Sequence, residues 1–131
     1  MIGFWSPHAS SFLLALAAAT TLFFAIPILL TPLRWARMML WTVPEDTRLA
    51  VYFGRCLGAF ATIFEIFVFR AGLTGVDQTF VFEFMILVWL FMLAIHIVGA
   101  VQRVQPITET LEIGFWAVLI VLTLAFWPID G

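Results

Sequence analysis

Polar residues in this chain come in short bunches, and four long apolar stretches run between them. The stretches cover about 11–33, 49–71, 79–102 and 111–127. A helix that crosses a bilayer takes about 20 predominantly apolar residues, with a range of roughly 17–25. All four stretches fall inside that range. They are continuous rather than alternating, whereas a transmembrane barrel would show segments of about ten residues that alternate in polarity. The pattern predicts an all-α membrane protein with four transmembrane helices.

The joints between the stretches carry the signals that start and stop helices. Ser6-Pro7 suits the start of the first helix, because a proline in the first turn loses no hydrogen bond. Thr42-Val43-Pro44-Glu45 has the spacing of a capping box ahead of the second helix. Gly72 and Gly75 bracket a turn before the third, and Pro106-Ile107-Thr108-Glu109 resets the chain before the fourth. Connections this short make sequential helices antiparallel, giving an up-down-up-down bundle. Within the first span, Pro27 is expected to kink the helix and Pro32 to end it. The N-terminal run lacks a basic flank and exceeds the length of a signal-peptide core, so it reads as a retained span. The chain reads as a single integral membrane domain, residues 1–131, without internal repeats.

Composition agrees. The chain is 64% apolar and 11% charged, whereas soluble domains carry about 25% charged residues. Every basic residue is arginine, and the net charge is −2. With no basic patch, nucleic acid is not an expected partner. The single cysteine, Cys56, excludes an internal disulfide and a cysteine-based metal site.

The arginines set an orientation. Arg34, Arg37, Arg48 and Arg103 flank the first and third connections, while the N-terminus, the second connection and the C-terminus hold only Arg70. The positive-inside rule then places the first and third connections in the cytoplasm and both termini on the non-cytoplasmic side, as in a bacterial inner membrane. Trp5 and Trp127 fall at the outer interface, and Trp35 and Trp41 at the inner one, where indoles anchor helices. The segment Arg34 to Trp41 fits either a short amphipathic turn lying in the interface or a simple linker.

Ionisable residues at membrane depth are costly and mark functional or pairing sites. Arg55 lies about seven residues inside the second span, and His96 about seven residues from the cytoplasmic end of the third. Glu112 enters the fourth span from the same side, with Glu109 one turn further out. Depth alone therefore suggests an inner cluster of Arg55, His96 and Glu112. Glu65, Arg70 and Glu83 lie toward the other side and suggest an outer network. On a helical wheel Arg55 and Glu65 differ by about 80°, so one inward side can hold both. Structural pairing is the plainer role for each. Glu65 is the deepest acid and the best proton or cation candidate. His96 invites haem or quinone, but a bis-histidine haem needs a second ligand, and the only other histidine, His8, belongs to the opposite side. No phosphate loop, paired-histidine metal motif or nucleophile elbow is present, so the sequence assigns neither a catalytic residue nor a metal.

Gly54, Gly58 and Thr62 form a small-residue ridge on the second span, which lets two helices approach closely. Arg55 sits about 100° round from Gly54, at the margin of that contact. The 15 phenylalanines ring several helices and suit lipid contact.

In span number and length the layout resembles small four-helix membrane families such as DoxX-like proteins and the small multidrug exporters. Those exporters depend on a glutamate in the first span, where this chain has no charge, so no function carries over. Three readings remain. One is a non-catalytic subunit packed in a larger membrane complex, such as a respiratory, photosynthetic or other redox assembly. Its partners would be lipid and either other membrane subunits or copies of itself. Another is a homo-oligomeric transporter or channel using Glu65 and Arg55. The last is a membrane enzyme or cofactor carrier using His96.

Overall fold

A computed structural model describes residues 2–129. Four helices are long and apolar enough to cross a membrane: α1 (Ser6–Leu30), α3 (Arg48–Thr74), α4 (Gln78–Gln102) and α5 (Ile107–Ala125). A short helix, α2 (Pro32–Met38), lies between the first two. No strand occurs among the described residues.

Helix α1 is not uniform. It opens with a 3₁₀ turn at Ser6–His8 that contains Pro7, and it widens into a π turn at Thr21–Ala25, just ahead of Pro27. Pro27 has no N–H to offer the Phe23 carbonyl one turn back, and its ring crowds that carbonyl. A π turn is a common way to absorb such a defect. The stranded carbonyl finds another donor, since the Trp35 indole N–H reaches the Phe23 oxygen at 3.1 Å. Trp35 therefore closes a gap in the backbone of α1 instead of spending its N–H at an interface. Trp35→Phe keeps a ring but leaves that carbonyl without its donor, and should cost about 0.5–1.5 kcal/mol. Thermal unfolding in detergent checks this, and an unchanged midpoint would show that the indole bond contributes nothing.

Pro32 ends the first helix as expected, and it also starts the next one. Thr31 leaves helical geometry, with φ −136° and ψ 59°, and Pro32 begins α2. A ring that fixes φ and lacks an N–H suits a first helical position. The segment from Arg34 is thus helical, with Arg34 and Arg37 both exposed. The capping box expected at Thr42–Glu45 does not form, because α3 starts only at Arg48. Asp46 serves the helix start instead, accepting the Arg48 backbone N–H at 3.1 Å and pairing with its guanidinium at 2.7 Å.

The glycine ridge of α3 meets this chain's own first helix and the start of α2. A Cβ on Gly54 would stand 2.5 Å from the Pro32 Cβ, and one on Gly58 would run into the Leu29 backbone. A Cβ on Gly72 would press on Leu14 at 2.9 Å. Thr62 continues the ridge and hands its hydroxyl proton to the Gly58 carbonyl at 2.8 Å.

The interior joins Leu13 and Ala17 of α1, Val68 of α3, Phe82 and Met85 of α4, and Leu119 of α5. Helices α4 and α5 meet along their lengths. Phe82 packs on Trp127, Trp89 lies 5.5 Å from Trp116, and the buried Trp89 indole donates to Thr123 Oγ1 at 3.0 Å. The N-terminal segment is tied to the end of α5, as Gly3 N–H donates to the Leu124 carbonyl at 2.9 Å and Trp5 N–H to the Ala125 carbonyl at 2.8 Å.

Candidate functional site

At the opposite end of the α4–α5 pair lies a cluster of ionisable side chains. His96 sits on the buried face of α4, 4% exposed. Arg103, at φ 56°, turns the chain out of α4. Val104 N–H closes that end on the Gly99 carbonyl. Gln105 then folds back, its amide donating to the His96 carbonyl at 2.9 Å and to Thr110 Oγ1 at 3.1 Å. Gly99 leaves room for it, since a Cβ there would strike the Gln105 amide. The first turn and a half of α5 supplies Glu109 and Glu112, whose i, i+3 spacing puts both carboxylates on one helix face.

The imidazole is held at both nitrogens. Nδ1 is 2.7 Å from the Met92 carbonyl, which can only accept, so Nδ1 carries a hydrogen. Nε2 then faces both acids, at 2.9 Å from Glu109 Oε2 and 3.3 Å from Glu112 Oε2. The other Glu109 oxygen accepts from the Trp41 indole at 2.8 Å. Thr108 Oγ1 donates to the Met39 carbonyl, fastening the segment that bears Trp41 to the start of α5. Trp116 packs on the imidazole with ring centres 5.7 Å apart. Its indole N–H lies beside Glu112 but completes no hydrogen bond. A groove of about 440 Å³ runs past the cluster, lined by Trp41, His96, Gly99, Gln105 and Glu109 among others.

No arginine neutralises these acids. Among the described residues the arginine ion pairs are Arg48–Asp46 and Arg70–Asp77. Even with a doubly protonated His96, the cluster sums to +1 − 2 = −1.

The other polar candidates fall elsewhere. Arg55 is exposed and joins no ion pair among the described residues, so the expected Arg55–His96–Glu112 cluster loses its arginine. The inward side of α3 at that level is the glycine ridge, already filled by Pro32 and Leu29, and Arg55 is turned away from it. Glu65 is buried, beside Thr20, with Oε2 lacking any hydrogen-bond partner. Arg55 and Glu65 therefore do not share an inward side; about 80° of rotation is enough to carry one out and the other in. The outer Glu65–Arg70–Glu83 network does not form. Arg70 is five residues after Glu65, about 140° round the helix, and it reaches Asp77 at 3.5 Å in an exposed pair. Glu83 is exposed. Trp41, like Trp35, turns its N–H inward, while Trp5 stacks near Phe126 and Trp127 on Phe82. His8 is exposed in the opening turn of α1. Of the two His96 nitrogens, Met92 engages Nδ1 and the two glutamates flank Nε2.

The described residues make an all-helical protein with four helices long and apolar enough to span a membrane. No family model, curated protein or solved structure matches the chain.

Proposed function

We propose that this chain is a small non-catalytic subunit of a bacterial inner-membrane complex, such as a respiratory or other redox assembly, packed against other membrane subunits or copies of itself. In this reading the bundle runs up-down-up-down with both termini outside. The residue pairs joining α4 to α5, from Phe82–Trp127 to His96–Glu109, fit that antiparallel order, as does the arginine distribution.

The observation that carries the proposal is Arg55. It lies seven residues into α3, about 10 Å along the axis, exposed among Tyr52, Phe53 and Leu57, which are 66%, 62% and 54% exposed. A guanidinium facing lipid at that depth is costly without an anionic partner. This chain supplies none within ion-pair distance among the described residues. A carboxylate on a neighbouring chain would complete it.

The test is purification in a mild detergent from native membranes, with mass spectrometry of the whole particle, for wild type and Arg55→Leu. Stoichiometric membrane partners or a defined oligomer are expected for wild type and should be lost or weakened for the variant. A wild-type protein that runs alone as a monomer would refute the proposal. Should the particle survive Arg55→Leu intact, the charge is not the contact.

A further inference from the structure

We propose that His96, Glu109 and Glu112 bind one divalent first-row transition-metal ion, reached through the groove beside Trp41. The inference does not depend on the subunit reading, since every ligand comes from this chain.

The first argument is the imidazole. A metal-bound histidine commonly gives its other N–H to a backbone carbonyl, which fixes the tautomer and aims the lone pair. Met92 does this for Nδ1, and Nε2 becomes the donor atom facing both carboxylates once the proton it shares with Glu109 is released to solvent. The second is spacing. Donors about 2.0–2.2 Å from one ion stand roughly 3–3.5 Å apart. Nε2 stands 2.9 and 3.3 Å from the two carboxylate oxygens, and all three donor atoms lie within 4.8 Å of one another. The third is charge. A neutral imidazole with two carboxylates sums to −2, which one divalent cation cancels in a site where no arginine reaches.

The surroundings of the ligands add two independent points. Trp41 fixes the Glu109 oxygen that faces away from His96, an outer hydrogen bond of the kind that orients a ligating carboxylate. The Trp116 N–H, buried and without a partner, lies next to Glu112. It can take up the Glu112 oxygen that the metal leaves free. Three protein ligands leave at least one coordination position, and the groove gives water or a small ligand a path to it. One imidazole and two carboxylates suit zinc, manganese or ferrous iron; a thiolate-loving cuprous ion does not fit.

Cobalt(II) is the probe, because its bound form absorbs visibly. The full chain in detergent, stripped with a chelator, is titrated with Co²⁺ alone, and total metal is counted by elemental analysis. One saturable Co²⁺ per chain is expected, displaced by Zn²⁺. Glu112→Gln and His96→Gln should each weaken binding more than about 100-fold, and Trp41→Phe by about 10–100-fold, the usual range for an outer partner. Glu83→Gln, an exposed acid near the other end of α4, should bind as wild type. His96→Gln is judged only if its tryptophan fluorescence and unfolding midpoint resemble the metal-free wild type. Glu112→Gln, at a half-buried position, decides the matter otherwise. The absence of saturable Co²⁺ in the folded wild type overturns the proposal and leaves a proton-sharing cluster. Equal affinity in wild type and folded Glu112→Gln overturns it too.

Discussion

His96→Leu is expected to destabilise the bundle by about 3–5 kcal/mol, because it removes one partner of a buried charged set and leaves two carboxylates facing each other. Glu109 is 8% exposed and has one other donor, Trp41. Among the described residues Glu112 has only the His96 Nε2 as an ion-pair partner, at 3.3 Å. Unfolding measured by steric trapping in detergent with chelator present isolates this term from any bound metal. The size of the loss reflects charge rather than volume, and a compensating variant can show it. Adding Glu109→Gln and Glu112→Gln to His96→Leu should recover more than half of the loss, since neutral amides cost far less to bury unpaired than carboxylates. If the triple variant is as unstable as the single one, the cost lies in lost packing against Trp116, and the electrostatic account fails.

The second large effect is expected at Gly58. Glycine to alanine within a helix ordinarily gains about 1 kcal/mol of helix propensity. At Gly58 the sign reverses, because the added carbon meets the Leu29 backbone, which cannot rotate aside. Overpacking of this kind costs about 1–3 kcal/mol or more, and Gly58→Leu should separate α1 from α3 altogether. Gly114 provides the matched control, since a Cβ there meets nothing within 4 Å. Gly114→Ala should leave stability unchanged or slightly raised in the same assay. A Gly58→Ala protein as stable as wild type would mean that the helices are not held at this distance.

These two sites differ in how plainly they were written in the sequence. Continuous apolar runs announced four helices because bilayer thickness sets their length. The ridge of Gly54 and Gly58 announced a close contact, though not that its partner was Leu29 and Pro32 of the same chain. Depth counting brought His96 and Glu112 to one level, where the structure puts them 3.3 Å apart. It brought Arg55 there equally, because depth says nothing of rotation, and Arg55 turned out to face away. The signal that points to Glu109 was present: Glu109-Thr110-Leu111-Glu112 places two acids on one face, just past a short turn from His96. Trp41 was hidden by its own chemistry. An indole near a membrane boundary reads as an anchor, and only the tertiary fold shows its N–H going to a carboxylate 68 positions away in sequence. Pro32 told half of its part, since a proline that stops one helix is equally fit to begin the next.

The arrangement around His96 also bears on how the protein is made. Synthesis delivers α4 to the membrane before α5, so for a time the histidine has neither of its glutamates. Its Nδ1–H is bonded within its own helix, to Met92, so only one nitrogen waits. Glu109 and Glu112 arrive in the opening turns of α5, at the boundary where water still reaches a carboxylate. Neither partner has to cross the hydrocarbon as a bare charge before they meet. The cluster can therefore close as α5 docks on α4.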